Sequence, residues 1–146
     1  MMNNALDNIF SILLIDDDDV ALESVERSLR KHHVMYPIVT ARDGREGLMI
    51  LRDQHPQQHL KKPYLVLLDL NMPNMNGFEF LNEVRSDTAL KDTVVFVLTT
   101  SSTDADRNKA YNKNIAGYMV KSAVGPQFKK LALLLDQYSQ SVVLPS

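Results

Sequence analysis

The chain contains no cysteine, which excludes a disulfide framework and any thiolate metal site. It carries little net charge: 16 basic against 18 acidic residues leave −2 with histidine neutral. That balance gives scant electrostatic support for binding DNA or RNA. No apolar run approaches membrane-span length. The opening "MMNNALDNIF" has no basic region ahead of a long apolar stretch, so it does not read as a signal peptide. Low-complexity segments, internal repeats and a second domain are not apparent either. The expectation is a soluble, cytoplasmic protein with no direct nucleic-acid or membrane partner. What is present suits that expectation: 146 residues, 45% of them hydrophobic, is a one-domain length able to bury a proper core.

Apolar runs of strand length alternate with segments of helical period. Strands are expected at "SILLI" (11–15), "YPIVTA" (36–41), "YLVLLDL" (64–70), "TVVFVLTTS" (93–101) and "AGYMVKS" (116–122). Pro37 marks the second as an edge strand or a strand start. Helices are expected at 19–33, with Leu22, Val25 and Leu29 on one face, at 43–54, at 77–87 with Phe78, Leu81 and Val84 aligned, at 103–114, and at 125–141 with Pro126 in its first turn. "HPQQHLKKP" (55–63) reads as a loop. Strands that are apolar throughout, rather than alternating, are buried on both faces. The pattern is therefore an α/β fold of five βα units, a parallel sheet with helices on each side.

In such a sheet ligands sit beyond the carboxyl ends of the strands, at the topological switch point. The strand ends are thus where chemistry is sought. The first strand ends in Asp16, Asp17, Asp18 and Asp19, the third in Asp69, the fourth in Thr99 and Thr100, and the fifth in Lys121. Adjacent carboxylates at the mouth of a core repel and lose hydration. A hard dication with oxygen ligands, such as Mg²⁺, relieves that conflict. A carboxylate can also act as a nucleophile toward phosphorus, with the lysine and threonine holding oxygens of the transferred phosphoryl group. Asp18 and Asp19 are not expected to be ligands. They precede a helix, where negative charge and an Asp cap are favourable.

The pieces "LLIDDDD", "LLDLNMPNMNGFEFL", "VFVLTT" and "GYMVK", in that order and spacing, closely resemble the receiver domain of two-component response regulators. The resemblance spans nearly the whole chain. It implies a flavodoxin-like (βα)5 doubly wound sheet of strand order 2-1-3-4-5. It implies one receiver domain over 1–146, with a core of about 10–140 and a C-terminal extension of about 139–146. By position, Asp69 is the implied phosphoacceptor. Asp17 would hold Mg²⁺ (or Mn²⁺) directly and Asp16 through water, with Asp69 and the backbone carbonyl of Asn71 completing the metal site. Thr99 would bind a phosphoryl oxygen, Lys121 would pair with its charge, and Tyr118 would be the aromatic switch that follows Thr99. The implied donor is a sensor histidine kinase, and the protein would catalyse its own phosphorylation and dephosphorylation without being a turnover enzyme. Output would pass through the face made by the fourth helix, fifth strand and fifth helix.

Two features depart from the common receiver pattern. Lys121 is followed by Ser122 rather than proline, and a cis bond there, expected from the family, would cost about 2.5–4 kcal/mol without proline. The last helix is also over-supplied with apolar residues. Phe128, Leu131, Ala132 and Leu135 can cover the sheet, whereas Leu133 points away, Leu134 and Tyr138 widen the stripe, and "SVVLPS" follows. An apolar surface that the sheet cannot use suggests an interface. This ending and the insertion before the third strand resemble single-domain regulators of phytochrome-type photoreceptors, and so imply a homodimer through the last helix and tail. His32, His33, His55 and His59 are read as solvated loop or helix-end residues. Three other readings are weighed. A receiver-like scaffold that is never phosphorylated would be expected to have lost a member of the acid, Thr and Lys set. A haloacid-dehalogenase-type phosphatase would need a cap domain that this length does not hold. An FMN binder would place its phosphate against four acids.

Overall fold

The computed structural model describes residues 10–32, 36–123 and 128–145. Five strands, β1 (Ser11–Ile15), β2 (Ile38–Ala41), β3 (Tyr64–Leu68), β4 (Val94–Thr99) and β5 (Gly117–Val120), pair in parallel in the order β2-β1-β3-β4-β5. The strand after each crossover lies next to β1 or outward from it, so the order reverses at β1/β3, and the carboxyl ends of those two strands flank the crevice. Helices α1 (Asp19–Lys31), α2 (Gly44–Leu51), α3 (Gly77–Ser86), α4 (Asp104–Tyr111) and α5 (Lys129–Ser141) cover the sheet.

Alternation along each strand divides one apolar run between two cores. Leu13, Ile15, Val66, Leu68, Val95 and Val97 face α2 and α3. Ile12, Leu14, Leu65, Leu67, Phe96 and Leu98 face α1 and α5. The expected faces are the buried ones: Leu22, Val25 and Leu29 on α1, Leu81 and Val84 on α3, and Leu131, Ala132 and Leu135 on α5. Phe78 is only partly buried, and Phe80 takes the central place on α3 instead.

The elements are shorter than the sequence periodicity suggests, and side-chain caps fix where the helices start. Asp18 caps α1 by accepting the Val20 N–H, and Asp43 caps α2 by accepting that of Glu46. Asn76 and Glu79 close a reciprocal capping box on α3. β2 starts after Pro37, whose carbonyl accepts the Ile12 N–H, and it is an edge strand as Pro37 implied. The expected start of the last helix near Pro126, and His33, lie outside the described residues.

Two expectations are corrected. The one cis peptide among the described residues is Lys62–Pro63, so the Lys121–Ser122 bond is trans. Lys121 opens a short 3-10 turn, Lys121–Ala123, rather than extending β5. His55 is not a solvated loop residue. Its side chain is nearly buried, its Nδ1 accepts the N–H groups of Gln57 and Gln58, and its Nε2 lies 3.1 Å from Glu46 Oε2. With Nδ1 accepting, Nε2 carries the proton and donates to the carboxylate. The insertion is thereby pinned to α2.

Candidate functional site

The carboxyl ends of β1, β3, β4 and β5 bring the expected residues together. Asp16 follows β1, and its backbone N–H donates to the Ala41 carbonyl at 3.0 Å. Asp69 follows β3, and its N–H donates to the Ile15 carbonyl at 2.9 Å. Both acids are thus fixed by continuation of the sheet ladder just beyond its assigned ends. Both are buried, while Asp17, one residue on, is exposed. Carboxylate oxygens of Asp16, Asp17 and Asp69 all lie within 4.8 Å of one another.

Positive charge enters from β5. Lys121 Nζ donates to Asp16 Oδ2 at 2.6 Å and lies 3.9 Å from Asp69 Oδ2. The trans Lys121–Ser122 bond therefore does not turn the ammonium away from the site. Asp16 is further held by the Asp18 N–H, which donates to Oδ1 at 2.9 Å. Burial raises the Asp69 carboxyl above its ordinary range, and the Asp16 charge raises it further. Lys121, the Thr99 hydroxyl and the Asn71 N–H act in the opposite sense and do not cancel the rise. A carboxylate in this position is short of positive charge. The donor set is all oxygen, acidic and convergent, which suits a hard dication that keeps some water.

Thr99 is fully buried at the end of β4, with its hydroxyl close enough to Asp69 to act against the rise in that carboxyl's pKa. Its Oγ1 also accepts the Ser101 N–H in a long contact of 3.4 Å. Tyr118 donates its hydroxyl to the Ser101 carbonyl at 3.0 Å, so Thr99 and Tyr118 meet at one residue. Asn71 is exposed beside Asp69. Thr100 is exposed and joins no part of the cluster. Asp18 and Asp19 stay out of it as well, Asp18 as a cap and Asp19 in an ion pair with Arg42.

The loop after Asp69 is held from two sides. Asn74, with φ of 63°, donates to Asp43 Oδ2 at 3.0 Å, and the Gly44 N–H donates to the Met75 carbonyl at 2.9 Å. At the start of α3 the Gly77 N–H donates to the Leu70 carbonyl. A Cβ on Gly77 would stand 2.6 Å from the Asp69 carbonyl oxygen and 2.7 Å from Leu70 Cα. Only glycine lets the helix start this close to the acid-bearing turn.

Asp106 was missed as part of this network. Its signal lies in the polar run "SSTDAD" (101–106) before α4, where it reads only as part of a helix start. Arg85 was missed too. It donates to the carbonyls of Lys113, Lys91, Thr93 and Asn114, tying α3 to the segment before β4 and to the turn between α4 and β5.

A strand order of 2-1-3-4-5 with three acids, a threonine and a lysine at its switch point defines a phosphoryl-accepting receiver architecture. Comparison with known proteins agrees. The family model for the response regulator receiver domain matches residues 12–132, and the chain belongs to that family. It is 30% identical over 136 residues to response regulator Rcp1 of Synechocystis sp., with 92% of each chain covered. Its fold matches the crystal structure of the phosphorylated cyanobacterial phytochrome response regulator RcpA with a TM-score of 0.80 and 31% identity, over 94% of this chain and 99% of the other. The Mn²⁺-bound form of Rcp1 matches with a TM-score of 0.81 and 29% identity, over 94% and 99%. This chain is therefore a two-component response regulator receiver, similar to the phytochrome-associated single-domain members. Phosphoryl acceptance is the function of that family.

Proposed function

We propose that Asp69 is the phosphoacceptor, that the dication is Mg²⁺ (or Mn²⁺), and that the donor is a phosphohistidine on a sensor kinase of the phytochrome type. The convergence of Asp16, Asp17 and Asp69 against Lys121 and Thr99 carries this reading. Asp17, Asp69 and the Asn71 carbonyl would hold the metal, with Asp16 acting through water. Bound there, the dication supplies positive charge to the transferring phosphoryl oxygens.

An Asp69 carboxylate oxygen attacks phosphorus in line as the phosphorus–nitrogen bond to the kinase histidine breaks. The product is an aspartyl phosphate, and the bond's electron pair leaves with the imidazole. Lys121, now 3.9 Å from Asp69 Oδ2, pairs with the phosphoryl charge. Positioning and charge stabilisation provide most of the rate, because this transfer asks little covalent help of the protein. Thr99 exchanges its present partners for a phosphoryl oxygen. Tyr118 responds through Ser101, and the α4–β5–α5 face shifts between two pre-existing forms. The protein modifies itself and is no turnover enzyme.

A homodimer in the cytoplasm completes the proposal. Leu133, Leu134, Val142 and Val143 are exposed on α5 and the chain beyond it, while Leu144 folds back into the core. An apolar patch of this kind fits a second copy of the chain. Among the described residues no helix is long and apolar enough to cross a membrane.

Intact mass after incubation with a small acyl phosphate tests the chemistry. One added phosphoryl group is expected, requiring Mg²⁺ and lost in Asp69→Asn. An adduct that persists in Asp69→Asn would overturn the assignment. No adduct on protein that still binds Mg²⁺ would favour an unphosphorylated scaffold.

A further inference from the structure

Helix α4 is the most weakly packed of the five. Of its eight residues only Ala110 is buried, yet it borders the face through which the signal is expected to leave. Its N-terminus shows how it is fastened. Thr103 is the cap, and its hydroxyl oxygen accepts the Asp106 N–H at 3.2 Å. An acid at the third helical position ordinarily returns to the backbone N–H of the cap, closing a box. Asn76 and Glu79 do this on α3. On α4 the Asp106 carboxylate is instead committed to Ser101, whose hydroxyl donates to Oδ2 at 2.6 Å.

Ser101 is where Thr99 and Tyr118 meet. Its N–H points at Thr99 Oγ1, and its carbonyl receives the Tyr118 hydroxyl. A short hydrogen bond to a carboxylate is among the stronger ones available outside a core. The Ser101 side chain is thus bound to α4, while its main chain is bound to the phosphoryl-sensing threonine and the aromatic switch.

We propose that Asp106 is a positioning residue that couples α4 to the site through Ser101. A shift of Thr99 toward a phosphoryl group moves the Ser101 main chain, and the Asp106 bond draws the first turn of α4 with it. Among the described residues the other side-chain link from Ser101 to this turn is a long 3.5 Å contact with the Thr103 hydroxyl, so the 2.6 Å Asp106 bond is the firmer hold. This inference rests on the phosphoacceptor reading above.

The test is backbone amide NMR of the full chain with Mg²⁺ and beryllium fluoride, a phosphoryl mimic. Wild type, Asp106→Ala, Asp106→Asn and Ser101→Ala are compared. In wild type, shifts are expected around Asp69, Thr99 and Lys121 and across Asp104–Tyr111. In Asp106→Ala and Ser101→Ala the first group should persist and the α4 shifts should be largely lost. Asp106→Asn keeps an oxygen that can accept from Ser101 and should restore them. Undiminished α4 shifts in Asp106→Ala would overturn the coupling while leaving the receiver reading intact. A wild type silent around Asp69 itself would remove the receiver reading, and the coupling with it, and the missing Asp69 signals distinguish that failure from the other.

Discussion

Asp69 is held in a place that suits its proposed chemistry better than the stability of the fold. Burial and the neighbouring Asp16 charge raise its carboxyl above the unfolded value of about 3.9. In the window between those two values the folded state binds more protons than the unfolded one. Stability therefore falls as pH rises through that window and recovers on acidification. Above it, the full cost of the ionised group is present. Asp69→Asn removes that cost. In metal-free buffer near neutral pH the variant should melt at a higher temperature than wild type, and the gap should narrow as pH falls toward about 4. Added Mg²⁺ should also narrow it, by stabilising wild type through mass action. Thermal melts across pH, with and without chelator, check this. A variant less stable than wild type under metal-free neutral conditions would contradict the account.

At the scale of elements, the site depends on how closely α3 begins to the turn that carries Asp69. Gly77→Ala places a methyl group 2.6 Å from a backbone oxygen, and backbone cannot swing aside as a side-chain tip can. Overpacking of this kind costs about 1–3 kcal/mol. Gly77→Ala should therefore unfold at lower denaturant, and its phosphorylation should be slower because the Asp69 turn is pushed from its place. Urea melts and phosphodonor kinetics on the same sample measure both. The sequence foretold this architecture well: the all-apolar strands, the amphipathic faces of α1 and α5, and the acids at the strand ends all follow from local pattern. It did not foretell the His55 bond to Glu46, the four carbonyls gathered by Arg85, or the use of Asp106. Each joins residues by a side chain reaching across a loop, and no periodicity marks such a contact. The Lys121 peptide went the other way. Family pattern suggested a cis bond, and the chain, having Ser122 in place of proline, reaches Asp16 through a trans one with Lys121 in a 3-10 turn.

At the scale of the whole molecule, the two faces of the sheet differ in what remains uncovered. The α5 face leaves Leu133 and Leu134 48% and 40% exposed, and Val143 beyond it 94% exposed. Burying a Leu or Val side chain gains about 1.5–3 kcal/mol, so the proposed second copy would gain stability by covering them. Sedimentation of wild type at micromolar concentration should show a dimer, and Leu134→Arg with Val143→Asp should give a folded monomer that still accepts phosphoryl. A monomeric wild type, phosphorylated or not, would contradict the proposed assembly without touching the phosphoryl chemistry.

The central claim concerns one oxygen atom, and reductive trapping tests it most directly. The protein, phosphorylated by a small acyl phosphate with Mg²⁺, is treated with borohydride, which reduces an aspartyl phosphate to homoserine, and the peptides are mapped by mass. Asp69 should be recovered as homoserine and Asp16, Asp17, Asp18 and Asp19 should be unchanged. Reduction at one of those four, or a phosphoryl adduct that yields no homoserine, would mean that Asp69 is not the acceptor.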